Sequence, residues 1–361
     1  MALSNLFIFN SKISSQRAFP WVALLVFLGM CLFEILIFCI PEFLLEATDF
    51  VNYRVKWKRE TVESLNSTSP TPYKTLFMGE CFGLTAFKPE RFDALSSYAP
   101  SYNLCVYQRN TFFTVYFLLK KYLESQAQKP QVVCLEFTAF TLYDTAELRE
   151  EDFIQNLFPF LGDPALVLEE LGTHTPELSV LQEIKWVFPY RFPCWKRPLK
   201  GVFSRCFSWS LQKEAYFKEK KEHEQGRGYY PLGRTEAPNL TGIALPQSIL
   251  QGKYSPYNTV YLEKILELLT QHQIPTVLLA PPVRKDALDQ WRRHEVDSRY
   301  FGYLEGLQKR FPIIFWKCLD FVEFFDQMED FQDAIHLHDR SAERFTSAFA
   351  QALEKQRAGL K

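Results

Sequence analysis

None of the eight cysteines pairs in a C-x-x-C spacing, so a zinc ribbon has no ligands to start from. Charge of one sign is not in excess. Lys and Arg number 41 against 42 Asp and Glu, a net charge of -1, which removes any general pull toward nucleic acid. No internal repeat is found, which argues against a solenoid. Asp333, His336 and His338 stand close together, but no second group of ligands at metal-site spacing occurs elsewhere. Neither a metal nor a cofactor is therefore expected.

Apolar residues make up 47% of the 361, with 34 Phe, so a sizeable core is affordable and wholesale disorder is argued against. Trp21 to Ile40 is almost unbroken apolar sequence, long enough to cross a bilayer as one helix. Lys12 and Arg17 precede it, and Glu42, Glu46 and Asp49 follow it. That asymmetry puts the N-terminus in the cytoplasm and the rest on the periplasmic or cell-surface side. A cleaved signal peptide is the rival. The run is long and no clear small-x-small site follows, so an uncleaved anchor is expected. Glu34 is the only charge within it, either a contact to a partner helix or a tolerated protonated carboxyl. Cys31 and Cys39 lie in the anchor, Cys105 and Cys134 in apolar runs as buried thiols, and Cys318 near the end; Cys194 and Cys206 are the best disulfide candidates.

The chain divides into residues 1–45, N-terminus and anchor; 46–73, a polar linker that includes the turn-rich run Asn66 to Pro72; and a domain over 74–361. Five short apolar runs read as strands: Thr75–Met78, Asn103–Val106, Gln131–Phe137, Pro275–Ala280 and Pro312–Trp316. Helical spacing marks Thr111–Gln126 (Phe112, Val115, Tyr116, Leu119, Leu123), Tyr257–His272 (Val260, Tyr261, Ile265, Leu268, Leu269) and Ser341–Gln356 (Phe345, Phe349, Leu353). Strands alternating with such helices imply an α/β fold with a parallel sheet. Residues 145–255 are too many for a simple crossover and read as a cap or helical insertion. They carry an aromatic, proline-rich run, Trp186 to Pro193, and a basic run from Lys213 to Arg234. The basic run is read as a solvated helix face, or as a surface for anionic polymer or lipid headgroups.

Two stretches carry the chemistry. In Lys74-Thr75-Leu76-Phe77-Met78-Gly79-Glu80-Cys81, an apolar strand stops at a glycine and presents an acid and a thiol. That is the carboxyl edge of a sheet, where open α/β folds place their sites. Near the other end, Asp333-Ala334-Ile335-His336 puts a carboxylate where it can orient an imidazole. Together they predict a Cys81–His336–Asp333 triad. Glu80 is either a structural acid or a ligand for a substrate hydroxyl. Glu136, closing a buried strand, is a site or supporting carboxyl, or a salt bridge to the cap. Arg284, after Pro281-Pro282-Val283, is a candidate anion clamp.

These motifs, in this order behind a membrane anchor, resemble the membrane-anchored SGNH-hydrolase-like family. Gly79-Glu80-Cys81 stands where that family has Gly-Asp-Ser, with Pro89 downstream. Asp333-x-x-His336 matches the closing motif, and His336 to Phe345 is similar to His-Leu-x-x-x-Gly-Ala-x-x-Phe. The resemblance covers roughly 74–355 outside the insertion. It implies a three-layer sandwich around a five-stranded parallel, flavodoxin-like sheet. It also implies acyl chemistry on a cell-envelope glycan or polymer, as in relatives that assist alginate O-acetylation and teichoic-acid D-alanylation. A membrane-bound acyltransferase is an implied partner. The chain departs from the pattern at the oxyanion hole. The second block, Tyr107-Gln108-Arg109-Asn110, has no glycine, and the third, Cys134 to Ala139, has no asparagine. Gln108 and Asn110 are the candidate substitutes. One missing donor is worth about 10²–10³ in rate. Two functions stay open: an O-acyltransferase or acyl esterase, and a catalytically inactive module that binds glycan or an acyltransferase.

Overall fold

The computed structural model describes residues 24–25, 27–29, 32, 50–64, 73–106, 112–125, 129–143, 216–231, 247–252, 254–317, 328–333 and 335–359. Most of Trp21–Ile40 and of 145–255, together with Glu34, Gln108, Asn110, Cys194, Cys206 and Cys318, lies outside them. Backbone contacts divide the chain into two units, Met1–Glu46 with Arg191–Trp209, and Ala47–Tyr190 with Ser210–Lys361. In the first, Leu24, Leu25, Phe27, Leu28 and Leu32 are exposed. Among the described residues no helix is long and apolar enough to cross a membrane.

In chain order, the second unit contains α1 (Phe50–Ser64), β1 (Thr75–Met78), α2 (Cys81–Ala86), α3 (Pro89–Asp93), β2 (Ser101–Asn103) and α4 (Phe112–Ser125). Then follow β3 (Val132–Glu136), α5 (Ala139–Tyr143), α6 (Pro256–Gln271), β4 (Thr276–Leu279), α7 (Lys285–Arg293), α8 (Val296–Arg310), β5 (Ile313–Trp316) and α9 (Asp339–Gly359). The five strands are all parallel, in the order β2-β1-β3-β4-β5. The sequence reverses direction on either side of β1, and β1 and β3 leave a crevice beyond their carboxyl ends. Strands covered on both faces need no polar alternation. Every residue of β1, β3 and β4 is buried, whereas the edge strand β5 is half-buried beyond Ile313.

Helices α1 and α6 pack on α4, and α9 packs on α2 and α3. This grouping is what right-handed crossovers require of the strand order. The apolar stripe expected on the last helix is the buried one: Phe345, Phe349 and Leu353 face the core. Phe349 meets Trp316 at 5.0 Å, Phe87 at 5.2 Å and Phe77 at 6.2 Å between ring centroids, and Phe77 stacks on Phe87 at 4.4 Å.

Two expectations need correction. The stretch 46–73, read as a linker, holds α1, whose Val55, Trp57, Lys58 and Val62 are buried in the domain. The second strand begins at Ser101, two residues before the apolar run suggests. Its polar residues are buried because they are satisfied. Ser101 Oγ donates to Pro89 O at 3.3 Å, and Asn103 Nδ2 donates to Gly83 O at 2.9 Å and Phe87 O at 3.0 Å. The outer edge of β2 is covered by a segment of the insertion, with Asn103 N donating to Arg227 O at 3.0 Å. Gly228 (φ +84°) permits this approach, since a Cβ there would lie 2.1 Å from Asn103 O.

Candidate active site

The elbow after β1 is built by close approach. Gly79 has φ +141°, and a Cβ on it would lie 2.5 Å from Glu136 O and 2.6 Å from Glu136 Oε2. Gly83 is pressed equally, its Cβ position lying 2.5 Å from Cys105 Sγ. With both side chains absent, the end of β3 comes under the elbow. Glu136 Oε2 accepts from Glu80 N at 2.7 Å and from Gly83 N at 3.3 Å. Burial pushes the Glu136 carboxyl up to about 7, against the pull of those two N–H groups. Glu80 turns into the protein, where Oε2 accepts from Thr141 Oγ1, itself bonded to Thr138. That is the structural-acid role.

Cys81 opens α2 as a free, buried thiol. Burial pushes it well above its ordinary range, and the charges of Glu80, Glu136 and Asp333 push it further. Asp333, from the other stretch, is thus among the charges that act on Cys81. Asp333 is itself built for orientation. Oδ2 meets His336 Nδ1 at 2.7 Å, while Oδ1 accepts from Ile335 N at 2.9 Å and His336 N at 2.8 Å. Burial raises the Asp333 carboxyl, but the His336 bond and charge and the backbone bonds outweigh it and hold it below the carboxylate range. His336 Nε2 is buried and has no hydrogen-bond partner among the described residues. The Asp333–His336 bond is therefore formed, and no thiol–imidazole hydrogen bond occurs among the described residues.

The loop bearing the pair is pinned to α9. Phe331 and Leu337 form an antiparallel bridge, and Gln332 N donates to His336 O at 2.8 Å. Asp330 Oδ1 accepts from Ser341 Oγ at 2.6 Å and Arg344 Nη1 at 2.8 Å. Arg284 lies fully buried after β4, with Asp333 among the charges acting on it. Its guanidinium donates to the Asp286 carboxylate at 2.6 and 2.8 Å. Among the described residues no cluster of His, Cys, Asp or Glu has the grouping to hold a metal.

Lys58 and Asn103 were not legible as site residues. Lys58 Nζ donates to Asn103 O at 2.6 Å, Cys105 O at 2.5 Å and Gly228 O at 3.1 Å. Asn103 in turn bonds the carbonyls of α2 described above. The neck helix thus braces the elbow through the loop after β2. A lysine beside Trp57 in a charged stretch is the only signal, and it reads equally as a solvated face. No protein-family model and no curated protein matches the chain.

Proposed function

We propose that this chain is a membrane-anchored, extracytoplasmic, three-layer SGNH-like protein that acts in acylation or deacylation of a cell-envelope glycan or polymer. Trp21–Ile40 is its anchor and a membrane-bound acyltransferase its partner. The observation that carries the reading is the Asp333–His336 pair, closed at 2.7 Å, with Nε2 buried and unpartnered among the described residues and Asp333 among the charges acting on Cys81. In the proposed step, the Cys81 thiol gives its proton to His336 Nε2 and the sulfur adds to an ester carbonyl. The alkoxide then leaves with that proton, and a thioester remains. An acceptor hydroxyl or water reverses the sequence, losing its proton to His336 as it takes the acyl group.

A specific observation supports a second reading, an inactive SGNH-like module that binds glycan or the acyltransferase. Burial and the charges of Glu80, Glu136 and Asp333 outweigh the one backbone bond that favours the thiolate, and His336 Nε2 has no partner among the described residues, so the thiol stays protonated at rest. The test is acyl transfer from a chromogenic acetate ester, followed by intact-protein mass, in wild type, Cys81→Ala and His336→Ala. The first reading expects an acetyl adduct on Cys81, lost in the first variant and at least about 10²-fold slower in the second. Equal behaviour of all three, with anchor deletion alone abolishing envelope acylation, would replace it by the second.

A further inference from the structure

The two oxygens of Glu136 are not equivalent. Oε2 accepts two backbone N–H bonds, from Glu80 and Gly83, whereas Oε1 is buried with no partner among the described residues. The whole side chain is 0% exposed. An ionised carboxylate so placed would leave one oxygen's share of the charge without a donor among the described residues, a costly arrangement. A neutral carboxylic acid fits the same atoms. Its carbonyl oxygen takes the two N–H groups, and its hydroxyl is left needing an acceptor. The titratable groups it acts on are Cys81 on the elbow and Cys105 on the loop after β2, Glu80 bonds it through its N–H, and Glu80 and Asp333 also act on Cys81. Lys58 of α1 stands behind Cys105 and is occupied by three carbonyls. Gly79 and Gly83 keep the carboxyl against the elbow, since a Cβ would lie 2.6 and 3.3 Å from Oε2.

We propose that Glu136 works in its protonated form, its Oε1 hydroxyl donating a hydrogen bond to the carbonyl oxygen of an ester or thioester bound at Cys81. This rests on the acyl-transfer reading of the elbow. As sulfur adds to the carbonyl carbon, the carbonyl π pair moves onto oxygen and the bond from Oε1 strengthens. When the carbonyl re-forms, the bond relaxes, and the Glu136 proton stays on Glu136 throughout. A carboxylic acid kept neutral by an apolar site is a known kind of oxyanion donor. Burial supports that state here, pushing the group up to about 7.

The test uses the full chain in detergent, with p-nitrophenyl acetate as probe and intact-protein mass to read the Cys81 thioester. Glu136→Gln keeps a carbonyl for the two N–H groups and sets an N–H donor at the other position at every pH. Wild-type acylation should fall about tenfold per pH unit above about 7, and the glutamine variant should lose that alkaline fall. Glu136→Leu should be slower by about 10² or more throughout. In parallel, the infrared difference between wild type and Glu136→Gln near about pH 6 should show one protonated carboxyl, lost on raising the pH. Acylation with the same alkaline limb in both chains, or no such carboxyl, overturns the proposal while leaving Cys81 as the acceptor. If neither chain is acylated at any pH although the carboxyl band is present, the acyl-transfer reading itself falls, and the proposal with it.

Discussion

Burial holds a proton on Glu136 up to about 7, where an ordinary carboxyl releases it near 4.5. Between those values the native chain binds one more proton than the unfolded chain, so stability is fully present below the lower value and falls as pH rises. The total is on the order of 3 kcal/mol, from about 1.4 kcal/mol per unit. Glu136→Gln should flatten this decline, read as urea midpoints at several pH values across the window. Lys58 carries the opposite sign. Burial lowers it from 10.5 to about 7, with Cys105 opposing the shift and Arg54 adding to it. Across that interval the unfolded lysine is charged, while the native amine has given up a proton and with it one of its three carbonyl bonds, so stability rises with pH and is lost as pH falls through about 7. Lys58→Met should remove that rise; an unchanged slope from about 7 to 10 would mean the amine is solvated. At Gly79 the prediction is steric. With φ +141° and a Cβ position 2.5 Å from backbone, Gly79→Ala should cost about 2–4 kcal/mol or prevent folding, measured by denaturant unfolding.

At the scale of elements, the last helix is held by one aromatic face. Phe349 touches rings on β1, β5 and the turn after α2, so Phe349→Ala should cost about 3–5 kcal/mol in a urea melt. The parallel strands and the helices 111–126, 257–272 and 341–356 were legible because short unbroken apolar runs and 3.6-residue stripes report burial directly. Helices α7 and α8 escape such a reading, since charged residues on them outnumber the buried Ala287, Leu288, Trp291 and Val296, Tyr300, Leu304, Leu307. Polarity also hid the start of β2, where Ser101 and Asn103 are buried through hydrogen bonds that sequence does not display. The same holds for α1, in which the charged residues that suggested a linker are partly interior: Arg54 pairs with Glu219 at 3.1 Å, and Lys58 caps three carbonyls.

On the scale of the whole molecule, α1 belongs to the domain and is tied to the rim through Lys58, Asn103 and α2. A chain trimmed to 47–361 should therefore unfold cooperatively, and one trimmed to 74–361 should melt at lower temperature with Cys105 and Cys81 open to alkylation. Calorimetry and thiol labelling read both; equal melting points would show that the neck contributes nothing. The sequence by itself determined the parallel α/β class, the elbow at Gly79 and the Asp333–His336 pair. Each is local: an apolar run, a backbone turn, a spacing within one loop. Only the tertiary structure decided that Glu80 turns inward to Thr141, that Arg284 pairs with Asp286, and that Glu136 lies beneath the elbow with one oxygen unpartnered among the described residues. Those outcomes depend on which groups meet across strands far apart in the chain, and on how completely water is removed when they do.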